Sequence, residues 1–126
     1  PPSRAVKPHK LRYQWLGYYI SLMTTNTSIA RSLAALGHDT RLEVFRLLVR
    51  TGGESLKVGE IGQHLNVAAS TLAHHLNAVV GAGLIIQERQ GRQIVNRVDY
   101  GAMRQTVPYL TAECCVGFKL TRDEAA

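Results

Sequence analysis

The sequence has few of the residues that build secreted or membrane proteins. It contains only two cysteines in 126 residues, Cys114 and Cys115, and because they are adjacent they provide no disulfide framework. No apolar run approaches the roughly 18 residues that a membrane-spanning helix requires. The N-terminus lacks an apolar segment followed by a cleavage site, which a secretory signal would have. We therefore expect a cytoplasmic protein with no membrane partner.

Acidic residues are also scarce: nine Asp and Glu against 15 Lys and Arg give a formal net charge of +6 at pH 7. Such an excess favours an anionic partner such as nucleic acid. The excess is uneven, since residues 1–22 contain four basic residues, no acidic one and four of the eight aromatic residues. We interpret residues 1–22 as a basic, aromatic N-terminal extension and residues 23–126 as one domain. The extension is either an upstream addition or a docking helix with the apolar stripe Leu11, Trp15, Tyr18, Tyr19 and Leu22.

Four segments of the domain have apolar residues at helical spacing. Gly37 ends the first segment, and Asp39 or Thr40 begins the second, where Thr40 and Glu43 fit a capping box. A turn near Asn66 separates the third helix from the fourth. The predicted buried stripes are Ile29, Leu33 and Leu36; Leu42, Phe45, Leu48 and Val49; Val58, Ile61 and Leu65; and Leu72, Leu76, Val79 and Val80.

The pattern changes from helix to strand after the fourth helix. The runs 84–86 and 94–98 are β-prone, and the polar residues between them include Gly91, which predicts a hairpin. A last helix is expected from about Gly101, with Pro108 as a kink or a late start. Its predicted stripe is Met103, Val107, Leu110 and Cys114. The fold class is therefore mainly α with a small β-hairpin, in the order α-α-α-α-β-β-α, which predicts a winged helix-turn-helix.

The fourth helix is predicted to read DNA, because the second helix of a helix-turn-helix enters the major groove. At 100° per residue, His74 lies opposite the core stripe of this helix. Ser70, Thr71 and Asn77 lie beside it, and small or hydrogen-bonding side chains of this kind suit base edges and phosphates. His75 points nearer the core, and we interpret it as a packed, hydrogen-bonded histidine.

Positive charge for phosphate binding must come from outside the fourth helix, since residues 66–80 contain no Lys or Arg. The hairpin supplies Arg89 and Arg92, which we interpret as contacts to phosphates or the minor groove. The alternative is a turn that is merely solvated. Arg97, on the second strand, remains ambiguous because strand alternation can direct it away from DNA.

Two stretches of the chain resemble a known family. Residues 35–48, ALGHDTRLEVFRLL, are similar to the first helices of ArsR/SmtB-type repressors. Residues 70–76, STLAHHL, followed by residues 81–85, GAGLI, resemble the recognition helix and the start of the wing in that family. The resemblance extends over roughly residues 28–115. It implies a homodimeric winged-helix repressor that dimerises through its first and last helices and leaves its operator when a ligand binds.

The residues that form inducer sites in the family are largely missing from this chain. The third helix, residues 58–65, lacks the Cys-x-Cys motif of one site, and residues 101–116 lack the histidines of another. Zinc, nickel and cobalt sensing at those sites is therefore disfavoured. The string Glu113-Cys114-Cys115 resembles the adjacent cysteines of arsenite-responsive members, although residues 116–121 provide no third cysteine.

We therefore expect no required cofactor and consider As(III) or Sb(III) as an inducer at Cys114 and Cys115, because soft metalloids bind thiolates. Two alternatives stay open for these cysteines: packing without function, and thiol redox sensing. The sequence has no nucleophile motif, phosphate-binding glycine loop or metal-ligand spacing, so we do not expect an enzyme. A protein-interaction module is the competing class, and loss of DNA affinity with rising salt would separate the two.

Overall fold

The computed structural model describes residues 25–117, which form five helices and three strands. Residues 25–36 are helical and are called α1. The other elements in chain order are α2 (Asp39–Arg50), β1 (Leu56–Lys57), α3 (Val58–Leu65), α4 (Ala69–Gly81), β2 (Ile85–Gln90), β3 (Gln93–Val98) and α5 (Tyr100–Thr111). This order confirms the predicted helix-rich fold with its wing. Residues 1–22 lie outside the described residues, so the division of the chain after residue 22 stays a prediction.

The three strands form one antiparallel sheet in the order β1-β3-β2. The β2–β3 hairpin is longer than the sequence predicted, because pairing continues out to Gln90 opposite Gln93. Only Gly91 and Arg92 form the loop, and Gly91 has a φ of 64°. A two-residue hairpin loop needs such a positive φ at its first position, which glycine adopts without steric cost. Strand β1 was not predicted, since two residues carry no periodic pattern.

The core lies where α2, α3 and α4 pack on one another and on the sheet. Each fully buried aliphatic side chain of this kind contributes about 1.5–3 kcal/mol to folding. The buried cluster consists of Val44, Phe45, Leu47, Leu48, Ile61, Leu72, Leu76, Val79, Leu84, Ile85 and Val98. Within residues 25–117, no helix combines the length and the apolarity that crossing a bilayer requires.

Helix α2 begins at Asp39, two residues earlier than a Thr40 cap would place it. His38 is the N-cap, and its Nδ1 accepts a hydrogen bond from the Thr40 backbone N–H at 3.1 Å. The predicted capping box of Thr40 and Glu43 is therefore wrong. The predicted stripe is also partly wrong, because Leu42 is 44% exposed whereas Val44 is fully buried. Five apolar residues between positions 44 and 49 allow more than one helical face, and the packing selects the face centred on Val44 and Leu48.

Helix α5 differs from its prediction at its end and on its apolar face. Asp99 caps it by accepting a hydrogen bond from the Ala102 N–H at 3.1 Å, and the helix ends at Thr111 with Pro108 inside it. Val107 and Leu110 are 62% and 59% exposed, so they do not join the core of this chain. Cys114 lies beyond the helix in a turn, and the prediction that it continues the helical stripe is wrong.

Candidate DNA-binding surface

A tight turn joins α3 to α4 and fixes the angle between them. Asn66 adopts a left-handed conformation (φ 55°, ψ 48°) at the C-cap of α3, and the Val67 N–H donates to the Gly62 carbonyl at 3.0 Å. A Cβ on Gly62 would lie 3.1 Å from the Val67 carbonyl oxygen, so glycine lets the turn close. Leu72 then packs beside Gly62 and seats α4 on α3. This is the helix-turn-helix that the sequence predicted.

The outer face of α4 carries the side chains that were predicted to read DNA. Ser70, Thr71, His74 and Asn77 are all exposed. The opposite face is buried through Leu72, Leu76 and Val79. The structure therefore brings the four predicted residues together on one open helical surface, while their contacts to DNA remain a prediction.

The start of α4 is open as well. Its N-cap, Ala68, has no side-chain hydrogen bond to the helix, and both Ala68 and Ala69 are exposed. The first N–H groups of a helix have no intrahelical acceptor, and together with the helix dipole they favour an anion. A phosphate can therefore bind at the start of α4 although the helix itself contains no Lys or Arg.

His75 lies under the outer face of α4, with 8% of its surface exposed. Its ring centroid lies 4.5 Å from that of His38 and 5.7 Å from that of His74. Burial, followed by electrostatic repulsion from His38, Arg41 and His74, lowers the pKa of His75 below 6.5. The predicted packing of His75 is confirmed. The predicted hydrogen bond is not found at its Nδ1, which has no partner among the described residues.

The wing presents Arg89 and Arg92 to solvent, Arg89 on β2 and Arg92 in the hairpin loop. Arg97 is different, because its Nη2 lies 2.6 Å from Glu88 Oε1 across the hairpin. This ion pair resolves the ambiguity of Arg97: its guanidinium binds a neighbouring strand. Arg89 and Arg92 have no such ion pair within residues 25–117.

A buried amide holds the wing to the body of the domain. Asn96 on β3 has no exposed surface, and its Nδ2 donates to the Leu56 carbonyl at 3.1 Å. Its Oδ1 accepts a hydrogen bond from Gln87 Nε2 at 2.8 Å. One side chain therefore connects all three strands, which fixes the position of the wing relative to α3.

Lys57 is a further basic residue near the wing that the sequence analysis missed. It is exposed at the end of β1 and shares a cleft of about 540 Å³ with Arg92 and the exposed Ile94. Its position immediately before α3 is readable from sequence. Its proximity to the wing is not, because that depends on the pairing of Lys57 with Val95.

The two cysteines form a separate feature after α5. Both are exposed free thiols, and their sulfur atoms lie 3.2 Å apart. Glu113 and Cys115 have positive φ angles of 60° and 63°, so the backbone turns sharply there. Neither cysteine packs into the core of the described chain. Within residues 25–117, no group of three His, Cys, Asp or Glu side chains is arranged to hold a metal ion.

The fold and the surface define a winged helix-turn-helix protein. A family model described as a helix-turn-helix domain matches residues 36–88. The HTH-type transcriptional regulator YceK of Bacillus subtilis is 32% identical over 78 residues, which are 59% of this chain and 77% of that protein. A Halobacterium salinarum protein named as the arsenical resistance operon repressor ArsR is 35% identical over 60 residues. That match spans 48% of this chain and only 46% of the halobacterial protein.

Among solved structures, the chain is similar to an ArsR-like transcriptional regulator from Rhodococcus sp. RHA1. The TM-score is 0.62 at 29% identity, over 69% of this chain and 79% of that one. The chain belongs to the ArsR/SmtB-type winged helix-turn-helix family of transcriptional regulators. Its relatives are regulators rather than enzymes, as the sequence predicted.

Proposed function

We propose that this protein is a sequence-specific, double-stranded DNA-binding transcriptional repressor. The observation that carries the proposal is the open face of α4 beside a basic wing. Asn77 and His74 offer hydrogen-bonding groups for base edges, and two exposed hydroxyls lie near the start of the same helix. Arg89 and Arg92 supply the charge that α4 lacks, and they bind phosphates or the minor groove.

Selection of bound duplexes from a random library, followed by affinity measurements at several salt concentrations, tests this proposal. We expect enrichment of one duplex sequence. We also expect log affinity to fall linearly with log salt, by about 0.9 for each phosphate contact. A chain that binds no duplex at low salt would instead be a protein-interaction module.

A matched pair of variants tests whether α4 reads the sequence. Asn77→Ala removes a hydrogen-bonding side chain from the open face of α4, and it is expected to relax the selected sequence. The control is His64→Ala, at an exposed position on α3, which should select the same sequence as the wild type. An unchanged selection in Asn77→Ala would remove this side chain from the reading surface.

We propose further that the repressor is a homodimer through α1 and α5. The two helices are neighbours within one chain, because the Tyr109 hydroxyl donates to Asn26 Oδ1 at 2.8 Å. Both helices carry large exposed apolar side chains: Leu33 on α1, and Val107 and Leu110 on α5. Exposed apolar clusters favour a protein partner. A second copy also fits the operator geometry, since two reading helices match half-sites about 34 Å apart.

The proposed inducer is As(III) or Sb(III), bound by Cys114 and Cys115. Two exposed sulfur atoms 3.2 Å apart are close enough to bind one soft ion together. The chain has only these two cysteines, so a third thiolate would come from an exogenous thiol. The inducer would have to prefer the DNA-free dimer, and a preference of about 1.4 kcal/mol shifts the equilibrium tenfold.

Titration of arsenite into the protein–operator complex tests this inducer. We expect release of DNA from the wild type and none from the double variant Cys114→Ser/Cys115→Ser. Equal release from both proteins, or release from neither, contradicts metalloid sensing. Release by peroxide alone, lost in the same double variant, would assign the cysteines to thiol redox sensing.

A further inference from the structure

A cleft of about 320 Å³ lies between α1, the first turn of α2 and the C-terminal end of α4. Two arginines line it, Arg31 from α1 and Arg41 from α2. The remaining walls consist of small residues, among them Ala34 and Ala35 on α1 and Ala78 on α4. No acidic side chain of the described part of the chain lines the cleft. The cleft therefore combines two cations with short apolar walls.

The guanidinium of Arg41 has one hydrogen bond among the described residues and one buried nitrogen without a partner. Its Nη1 donates to the Ala35 carbonyl at 3.3 Å, at the end of α1. Its Nε is buried and has no hydrogen-bond partner among the described residues. A guanidinium has five N–H donors in a fixed planar fork, and it stays charged at any physiological pH. Within residues 25–117 neither Arg41 nor Arg31 belongs to an ion pair.

A second buried, unpaired nitrogen belongs to α4, the helix that also contributes Ala78 to the cleft. His75 Nδ1 is the other buried side-chain atom without a hydrogen-bond partner in residues 25–117. Only 8% of the surface of His75 is exposed, and the charge of Arg41 acts on its ring and contributes to its lowered pKa. Buried polar atoms are rarely left unpaired, because losing water without gaining a partner costs free energy. Arg41, a cationic residue of the cleft wall with an unpaired N–H, therefore suits a hydrogen-bond acceptor such as an anion.

We propose that this cleft binds a small molecule that carries a carboxylate or a phosphate on a compact apolar body. Arg41 and Arg31 both line the cleft, and their guanidinium groups offer charged N–H donors that suit either anion. The alanine walls accept the apolar part, and the volume corresponds to the lower end of small-molecule sites. Neither cysteine lines the cleft, so the site is separate from the proposed metalloid site.

The cleft adjoins the helix that is proposed to read DNA. Ala78 and Ala82 lie at the C-terminal end of α4, the helix whose outer face carries His74 and Asn77. A ligand in the cleft therefore touches the helix proposed to read DNA. This consequence rests on the proposed function, whereas binding in the cleft does not.

Titration of the full chain with benzoate, phenyl phosphate and neutral benzamide, followed by ¹H–¹⁵N NMR, tests the binding. Concentrations up to about 10 mM suffice, because weak ligands of this size bind in the millimolar range. We expect one or both anions to shift the amide signals of Ala34, Ala78 and Ala82, and benzamide to leave them unchanged. Which anion binds more tightly assigns the carboxylate or the phosphate class.

Matched arginine variants complete the test. Arg31→Gln and Arg41→Gln should each weaken anion binding at least about tenfold, because each removes a charged partner of the anion. Arg46→Gln, an exposed position on α2 outside the cleft, should bind as the wild type does. Arg31 is exposed, so its variant keeps the test decisive even if Arg41→Gln does not fold. Equal shifts with benzamide, no shift with any probe, or anion binding unchanged in Arg31→Gln or in a folded Arg41→Gln would overturn the proposal.

Discussion

The imidazole rings of His38 and His75 pack with their centroids 4.5 Å apart and their planes inclined by 39°. His38 is also the N-cap of α2, through a hydrogen bond to its Nδ1. The same ring therefore caps α2 and packs on His75, a buried residue of α4. The contact joins the start of α2 to the helix proposed to read DNA. Because His75 is buried beside basic groups, its pKa is lowered from 6.5, which favours its neutral form.

This lowered pKa predicts that stability declines on mild acidification. In the unfolded chain His75 binds a proton near pH 6.5, whereas in the folded chain it does so only at lower pH. The contribution of His75 to stability is therefore complete above about pH 6.5 and is lost as the pH falls toward the folded pKa.

Urea unfolding of the wild type and His75→Leu at several pH values measures the effect, and the variant should show the shallower decline. His64→Leu, at an exposed histidine of α3, should decline as the wild type does. Parallel curves for wild type and His75→Leu would contradict the prediction.

The buried amide of Asn96 predicts a large effect on stability from one polar side chain. Asn96→Ala leaves the Leu56 carbonyl and the Gln87 amide without their partner, and we expect a loss of about 1–3 kcal/mol. Gln87→Ala removes one of the same hydrogen bonds from an exposed position and should cost about 0.5–1 kcal/mol. Denaturant unfolding of both variants provides the comparison. Equal losses would show that the link from β3 to β1 contributes nothing.

The helix-turn-helix could be predicted from sequence because its signals are local. The stripe of Leu72, Leu76 and Val79 is periodic over α4, and it fixes which face is open as well as which is buried. Strand β1 could not be predicted, since Leu56 and Lys57 become a strand only by pairing with Asn96 and Val95 about 40 residues later. Tertiary pairing of this kind leaves no trace in a two-residue segment.

The other differences between prediction and structure have both tertiary and local causes. An apolar stripe predicts that a helical face is covered but not what covers it, and the stripe residues Val107 and Leu110 are exposed in this chain. His38 was missed as a cap because its neighbours Asp39 and Thr40 are the more usual capping residues. The arginine cleft joins positions 31, 41 and 78, which only the packing of three helices brings together.

The wing arginines predict a measurable change in the salt dependence of DNA binding. Arg89→Ala and Arg92→Ala should each weaken binding to all duplexes and reduce the slope of log affinity against log salt by about 1. Arg97→Ala is the matched control. The Arg97 guanidinium binds Glu88, so we expect its loss to change the affinity for DNA and the salt slope less. Fluorescence anisotropy at four or more salt concentrations gives the slopes. A slope that stays unchanged in both wing variants would contradict the assignment of Arg89 and Arg92 to phosphates.

The exposed apolar face of α5 predicts that dimerisation depends on two side chains. Val107→Asp or Leu110→Asp would place a charge in the proposed interface, and an unpaired buried charge is strongly unfavourable. We expect the dimer dissociation constant to rise more than about a hundredfold, with a folded monomer as the product. Ile94→Asp, at an apolar residue of the wing that is 44% exposed, should leave the dimer intact. Sedimentation analysis over a range of protein concentrations measures the three variants. A wild type that is monomeric throughout, or variants that dimerise as it does, would contradict a dimer built on α5.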